Sequence, residues 1–244
     1  MLSHLMNKTA IIIPSHLASK RLPNKPLLEI NNKSMILHVW ERAKKSNVSD
    51  IFVATPDEDI ANEIKKNGGN VIITGSHHTT GSDRICEALN KLNLDHEIII
   101  NVQGDMPNIN YGTINMINNF MISNTNVQVS TVASKLSKNE INDKNVVKAV
   151  TLHNLKEKKF LKALDFVRVI SNEKFFYHHI GLYAYKRSSL LRFKKLEKTY
   201  NETNRSLEQM RFIDHNIDVF VGYTDDSPLS IDTEEDLEKI RKIL

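Results

Sequence analysis

Over the first hundred residues, short apolar runs alternate with amphipathic stretches, and each run has the length of a buried strand. Thr9–Pro14 reads as such a strand, ended by Pro14. Ser34–Lys45 reads as a helix, with Ser34 able to cap it and Met35, Leu37, His38, Trp40 and Ala43 on its inner face. Asp50–Thr55 is a strand, Asp57–Lys66 a helix stopped at Gly68-Gly69, and Val71–Thr74 a short strand. Ser82–Leu92 reads as a helix with an N-cap serine and Asp83 in its first turn. His96–Gln103 is the strongest strand candidate. Strands alternating with helices predict βαβ units and a mainly parallel sheet.

The pattern then changes. Val127–Lys135, Val146–His153, Lys159–Asp165 and Phe176–Lys186 read as strands with no long helix between them, which predicts antiparallel additions or a small second layer. Ser206–His215 reads as a helix, Ile217–Tyr223 as a strand, and Thr233–Leu244 as a closing helix capped by Thr233 with Asp236 at its third position.

Composition narrows the class. The 244 residues suit one large domain, and a hydrophobic share of 40% with 25% charged residues is that of a soluble globular protein. A net charge of +4 is too small to argue for nucleic-acid binding. Cys86 is the single cysteine, so an internal disulfide and thiol-based metal sites are excluded. No apolar run approaches a membrane span, and Met1 to Thr9 lacks a signal peptide's apolar core, so the expectation is a cytoplasmic protein with no membrane partner.

Four segments carry candidate chemistry. The loop after the first strand holds Ser15, His16, Ser19, Lys20, Arg21 and Lys25, with donors and positive charge for phosphates; a solvated basic loop is the alternative. It is neither a dinucleotide fingerprint nor a Walker A loop. Asn101-Val102-Gln103-Gly104-Asp105 places a carboxylate just past a buried strand, where it serves either as a Mg²⁺ ligand or as a turn residue. Asp232 precedes the last helix; with Thr233 as cap, it is free to be a second ligand. Gly75–Arg84 joins a strand to a helix start, a natural anion or base site. Its His77-His78 pair lacks an evident third metal ligand nearby. Two further segments are His179, Gly181, Tyr183 and Tyr185, alternating on one strand face, and Leu207-Glu208-Gln209-Met210-Arg211 at a helix start.

In this order, from about Ile11 to Leu237, these segments resemble the 3-deoxy-manno-octulosonate (KDO) cytidylyltransferase family, the CMP-KDO synthetases. The family pattern runs I-P-A-R-x-x-S-x-R-L-P-x-K-P-L, G-T-[DE]-R, N-V-Q-G-D-x-P, H-x-G-x-Y-x-Y, L-E-Q-L-R and [GS]-[IV]-D-T-x-E-D-L. The resemblance implies an α/β, GT-A-like nucleotide-diphospho-sugar transferase fold spanning 1–244 as one domain. Residues 127–187 or so would contribute a small antiparallel sugar-binding and dimerisation subdomain. It implies CTP and KDO as substrates, CMP-KDO and pyrophosphate as products, a role in lipopolysaccharide biosynthesis, Mg²⁺ as cofactor and a homodimer.

By resemblance, Arg21, Lys25, Asp105 and Asp232 are catalytic, with Asp105 and Asp232 holding Mg²⁺. Ser15, His16, Ser82, Asp83 and Arg84 join Arg21 and Lys25 around the nucleotide. Gln103, Lys162, His179, Tyr183, Tyr185, Glu208 and Gln209 face the sugar acid. The chain departs from the pattern at Ser15 for Ala, His16 for Arg and Met106 for Glu. The family's tyrosine-phenylalanine-serine-arginine stretch corresponds here to Lys159-Phe160-Leu161-Lys162. These departures leave 8-amino-KDO or sialic acid as alternative substrates, and a nucleotide-binding protein without catalysis as the alternative in kind.

Overall fold

A computed structural model of the chain describes residues 9–91, 96–170 and 175–244. The strands are β1 (Thr9–Pro14), β2 (Glu29–Ile30), β3 (Lys33–Ser34), β4 (Asp50–Thr55), β5 (Asn70–Ile73), β6 (Ile98–Asn101), β7 (Val129–Lys135), β8 (Lys148–Thr151), β9 (Phe160–Val167), β10 (Phe175–Lys186) and β11 (Val219–Tyr223). The helices are α1 (Met35–Lys44), α2 (Glu58–Lys66), α3 (Gly81–Lys91), α4 (Tyr111–Ser123), α5 (Leu155–Lys158), α6 (Arg187–Phe193), α7 (Tyr200–Arg205), α8 (Met210–Asp214) and α9 (Glu234–Arg241).

Nine strands form one sheet in the order β5-β4-β1-β6-β10-β7-β11-β9-β8, while β2 and β3 make a separate hairpin. The first four are parallel, as the βαβ pattern predicts, and β10 enters antiparallel against β6. The four later strand runs are additions to this same sheet rather than a second layer. They also curl: the first residues of β10 pair with β8 as well as β7, so β10, β7, β11, β9 and β8 close into a ring. Ring closure leaves β8 with partners on both sides, a protection open sheet edges lack.

Apolar side chains pack into two large clusters. One gathers Ile12, Ile85, Ile99, Phe166, Tyr185 and Phe212; the other gathers Ile11, Ile13, Trp40, Ile100, Ile114 and Leu182. The adjacent Ile11 and Ile12 fall in different clusters, as period-two alternation requires. A third, smaller cluster of Leu22, Ile30, Met35, Ile231, Leu237 and Ile240 binds the C-terminal segment to the loop after β1. That packing brings the C-terminal segment beside the loop after β1.

Several sequence expectations move in detail. Ser34 precedes α1 without capping it; its hydroxyl donates to Glu63 at 3.0 Å instead. The third helix starts at Gly81, and Thr80 Oγ1, not Ser82, accepts the Asp83 amide at 3.1 Å; its expected last residue, Leu92, lies outside the described residues. The stretch read as one helix over 206–215 is a turn at Ser206 (φ 54°) followed by the short α8. The helices α4, α5, α6 and α7 have no counterpart among the elements expected from the sequence. Among the described residues no helix is long and apolar enough to cross a membrane.

Candidate active site

The loops at the carboxyl ends of β1 and β6 form one wall of the site, where open α/β sheets bind ligands. Gly104 is required there: a Cβ on it would lie 2.9 Å from the Pro14 carbonyl oxygen. With glycine in place, the loop carrying Asp105 packs onto the end of β1. The Ile231 amide donates to the Asp105 carbonyl at 3.0 Å, which fixes Asp232 beside Asp105. Thr233 and Asp236 form a reciprocal capping box, so the Asp232 carboxylate is free of capping duty.

Lys25 lies between the two carboxylates. Its ammonium donates to Asp105 Oδ2 at 2.8 Å, to the Ile231 carbonyl at 2.7 Å and to Asp232 Oδ1 at 3.2 Å. Burial opposes the Lys25 charge, yet Asp105 and then Asp232 outweigh it and hold its pKa above the ordinary lysine value. Arg21 pairs with the other Asp232 oxygen at 3.0 Å from a largely exposed position. Two carboxylates and a main-chain carbonyl thus converge on one cation, a set of hard oxygen donors that also suits a divalent metal.

Beside this cluster is a cavity of about 200 Å³ lined by Ser15, His16, Lys25, Arg84, Gln103 and Asp105, among others. The Ser15 hydroxyl is buried without a hydrogen-bond partner among the described residues, a donor aimed at no protein group. Burial and the neighbouring Arg84 depress the His16 pKa, with Asp57 opposing and Lys25 adding to the fall, so His16 is neutral near pH 7. Arg84 is pinned by donation to Thr74 Oγ1 at 2.6 Å and to the Gly75 carbonyl at 3.0 Å. Asp83 hydrogen-bonds with Thr80 and does not line this cavity, and neither does Ser82.

A second cavity, of about 260 Å³, adjoins the first through Gln103, which lines both. It collects Gln103, His179, Tyr183, Tyr185, Glu208 and Gln209, six of the seven residues expected to face one ligand. The strand alternation holds: His179 and Tyr183 rings lie 5.4 Å apart, and Tyr183 stacks on Tyr185 at 5.6 Å. Gly181 lies against Gln103, where a Cβ would meet Gln103 Cγ at 3.4 Å, an ordinary contact distance. Burial lowers the His179 pKa to about 3 and raises those of Tyr183 and Tyr185, so all three rings are neutral at pH 7. Ser82 belongs here, donating to Glu208 Oε2 at 2.7 Å.

Lys162 is the seventh, and the fold takes it elsewhere. It lies exposed on β9, paired with Asp218 at 2.6 Å, and does not line the cavity. Arg168, not singled out in the sequence, does not line the cavity itself but is tied to residues at its edge. Its guanidinium donates to the Arg205 carbonyl (3.0 Å), the Ser206 carbonyl (3.3 Å) and the Lys144 and Asn145 carbonyls (3.0 and 3.4 Å). Ser206 and Val147 line the cavity. Among the described residues Arg168 has no carboxylate partner, whereas Arg205 pairs with Asp165 and Arg211 with Glu202. The signal was present: Asp165-Phe166-Val167-Arg168 carries a phenylalanine two residues before an arginine, six positions past the stretch first matched. Phe166 is buried and packs edge-on against His179 at 5.0 Å.

The His77-His78 pair does have a third potential ligand nearby, Glu87, contrary to the sequence reading. Its carboxylate is already engaged by His78, Lys91 and the Gly75 amide. Cys86 is buried with its thiol pKa pushed up to about 11, which makes it a poor nucleophile.

Residues 10–221 match the family model described as Cytidylyltransferase. The chain is 40% identical over 243 residues to the 3-deoxy-manno-octulosonate cytidylyltransferase of Bartonella quintana, covering 97% of this chain and 98% of the relative. It is 39% identical to the enzyme of that name from Nitrobacter winogradskyi, covering 98% and 94%. A solved structure of CMP:2-keto-3-deoxy-manno-octonic acid synthetase complexed with CTP superposes with a TM-score of 0.89 at 32% identity, covering 97% of this chain and 98% of that one. A cytidylyltransferase from Leptospira borgpetersenii, at 19% identity and a TM-score of 0.65, shares the fold. By the match over residues 10–221 and these near full-length identities, the chain belongs to the cytidylyltransferase family.

Proposed function

We propose that the protein activates KDO with CTP, giving CMP-KDO and pyrophosphate for lipopolysaccharide assembly. The observation that carries this reading is Gln103, which lines both cavities and so sets a nucleotide and a sugar acid against each other. The anomeric hydroxyl of KDO attacks the α-phosphorus of CTP, the new C–O–P linkage forms, and the α–β phosphoanhydride bond breaks. Negative charge collects on the departing pyrophosphate. Arg21 and Lys25 are the cations at the carboxylate pair, and Lys25, the Ser15 hydroxyl and Arg84 line one cavity.

Asp105 and Asp232 hold a divalent metal, Mg²⁺, whose contribution when bound is to neutralise charge on the phosphates. In the second cavity Tyr183, Tyr185 and Gln209 offer neutral groups to sugar hydroxyls, and Glu208 accepts from them alongside Ser82. Arg168 supplies the charge that a sugar acid's carboxylate needs. With Arg168 in that role, the departures at Leu161 and Lys162 no longer favour 8-amino-KDO over KDO. The region 127–187 serves as the sugar-binding and dimerisation part of a homodimer; the exposed apolar Leu152, Val169 and Phe175 there support this. The reaction runs in the cytoplasm.

The test is pyrophosphate release from CTP with and without KDO, in Mg²⁺ and then in EDTA. Release that requires KDO and disappears in EDTA is expected. No release with KDO beside release with sialic acid or 8-amino-KDO overturns the substrate assignment; silence with all three overturns catalysis.

A further inference from the structure

We infer that the Lys25 ammonium closes the Asp105/Asp232 pair to divalent cations in the nucleotide-free protein, so that the pair takes its metal only when a polyphosphate draws Lys25 away. The inference rests on reading this pair as the metal site of a cytidylyltransferase. An ammonium has three donors, and Lys25 uses them on three oxygens: Asp105 Oδ2, Asp232 Oδ1 and the Ile231 carbonyl. Its side chain is 13% exposed, so water screens these contacts poorly. Arg21 takes the remaining oxygen of Asp232. A divalent ion entering here meets three of the four carboxylate oxygens already bound to cations, and a neighbouring ammonium only a few ångströms from its own charge.

The same geometry contains the release. Lys25 also lines the nucleotide cavity, together with Ser15 and His16. Its four-carbon stem lets the ammonium swing without moving the backbone, and that backbone is fixed in a short helical turn with the buried Pro26. Polyphosphate oxygens in that cavity compete with the carboxylates for the ammonium. Once it leaves, Asp105 has lost its cation and Asp232 keeps only the largely exposed Arg21, and a divalent cation relieves the repulsion between the two carboxylates. Metal and nucleotide then favour each other's binding, and by linkage the effect is mutual. Lys25 is a positioning residue for metal entry: it keeps the two carboxylates together while no metal is present and keeps other divalent ions out.

The test uses Mn²⁺ as the probe, titrated into nucleotide-free, phosphate-free full-length protein and followed by the electron paramagnetic resonance signal of the free ion. Wild type is expected to bind Mn²⁺ weakly. Lys25→Met is expected to bind it about tenfold or more tightly, the scale set by removing one unit charge at contact distance. Adding Asp105→Asn to Lys25→Met should abolish the gain. Equal affinity of wild type and Lys25→Met overturns the inference, as does a gain that survives Asp105→Asn. Should Lys25→Met lose its circular dichroism, Lys25→Gln replaces it. Tight Mn²⁺ binding by wild type that Asp105→Asn alone removes overturns the inference without any Lys25 variant. No CTP or sugar acid is present in these arms, so their failure leaves the reaction assignment to the pyrophosphate assay.

Discussion

The two cavities that share Gln103 are built from opposite materials. The first cavity, proposed for the nucleotide, draws on loops at strand ends and carries Lys25, Arg84 and the titratable His16, with Arg21 paired to the neighbouring Asp232. The second cavity draws on the face of β10 and is walled by neutral His179, Tyr183 and Tyr185; Arg168, held by four main-chain carbonyls, donates to Ser206 at its edge. The difference follows the reaction. Charge builds up on the leaving pyrophosphate, so the side that releases it needs cations that can move. The sugar acid keeps its single carboxylate throughout, so the other side needs one fixed cation and many neutral hydrogen-bonding groups. Loops at strand ends suit the first task and the face of a long strand the second.

Breaking the charged side should cost most. Asp105→Asn keeps shape and removes a charge where phosphate chemistry occurs; turnover should fall about 10²–10³-fold or more while the melting temperature stays near that of wild type. Pyrophosphate release and thermal melting measured together check this. Near-normal turnover at limiting Mg²⁺ would remove Asp105 from the metal site. Breaking the fixed cation comes next. Arg168→Met should raise the KM for KDO about 10–100-fold, the scale of losing one charged hydrogen bond, and leave the KM for CTP nearly unchanged. An equal rise in both would make Arg168 a general structural residue.

His16 tests whether the nucleotide side is limited by charge. Its pKa is depressed in the free protein, and a bound triphosphate favours the protonated ring. CTP affinity should therefore rise as pH falls below the ordinary histidine value of 6.5. His16→Arg should bind CTP several-fold, up to about tenfold, more tightly and flatten that dependence. Isothermal titration at several pH values decides it; a pH-independent dissociation constant in wild type would contradict it.

His179 gives a smaller effect on the sugar side. Its folded pKa of about 3 lies below the unfolded value of 6.5, so the unfolded chain binds the proton first between these limits. The stability contributed by neutral His179 is complete above about pH 6.5 and is lost as pH falls toward 3. His179→Gln should melt with a shallower acid slope than wild type; identical slopes would refute the assignment. Smallest of all, Lys162→Met should change neither KM by more than about twofold, since its ion pair with Asp218 is half-exposed.

This contrast also explains what the sequence made legible. The boundaries of β1 and β4 coincide with the apolar runs at Thr9–Pro14 and Asp50–Thr55, because buried parallel strands read as continuous hydrophobic stretches. The helix α4 did not emerge, because Tyr111–Ser123 is rich in Asn and carries no polar face sharp enough to mark a period. Ring closure through β8 and β10 was out of reach, since register across distant strands has no local signature. In the site, Asp105, Asp232, Gln103 and the β10 rings were legible because motif order carried them. Lys162 and Ser82 were placed by sequence order alone, and the fold moved both: β9 turns Lys162 toward Asp218, and α3 aims Ser82 at Glu208. Arg168 was missed because two basic residues six apart compete for one motif position, and only the strand's path separates them.

In the proposed reaction the two cavities bring a sugar hydroxyl and the CTP α-phosphorus into contact across Gln103. The most direct test of that reaction is phosphorus NMR of the protein incubated with CTP, Mg²⁺ and KDO labelled with carbon-13 at its anomeric carbon. A product phosphorus coupled to that carbon, appearing together with free pyrophosphate, is the predicted result. Pyrophosphate appearing with uncoupled CMP, or CTP remaining intact while a control KDO cytidylyltransferase consumes it, would contradict the account.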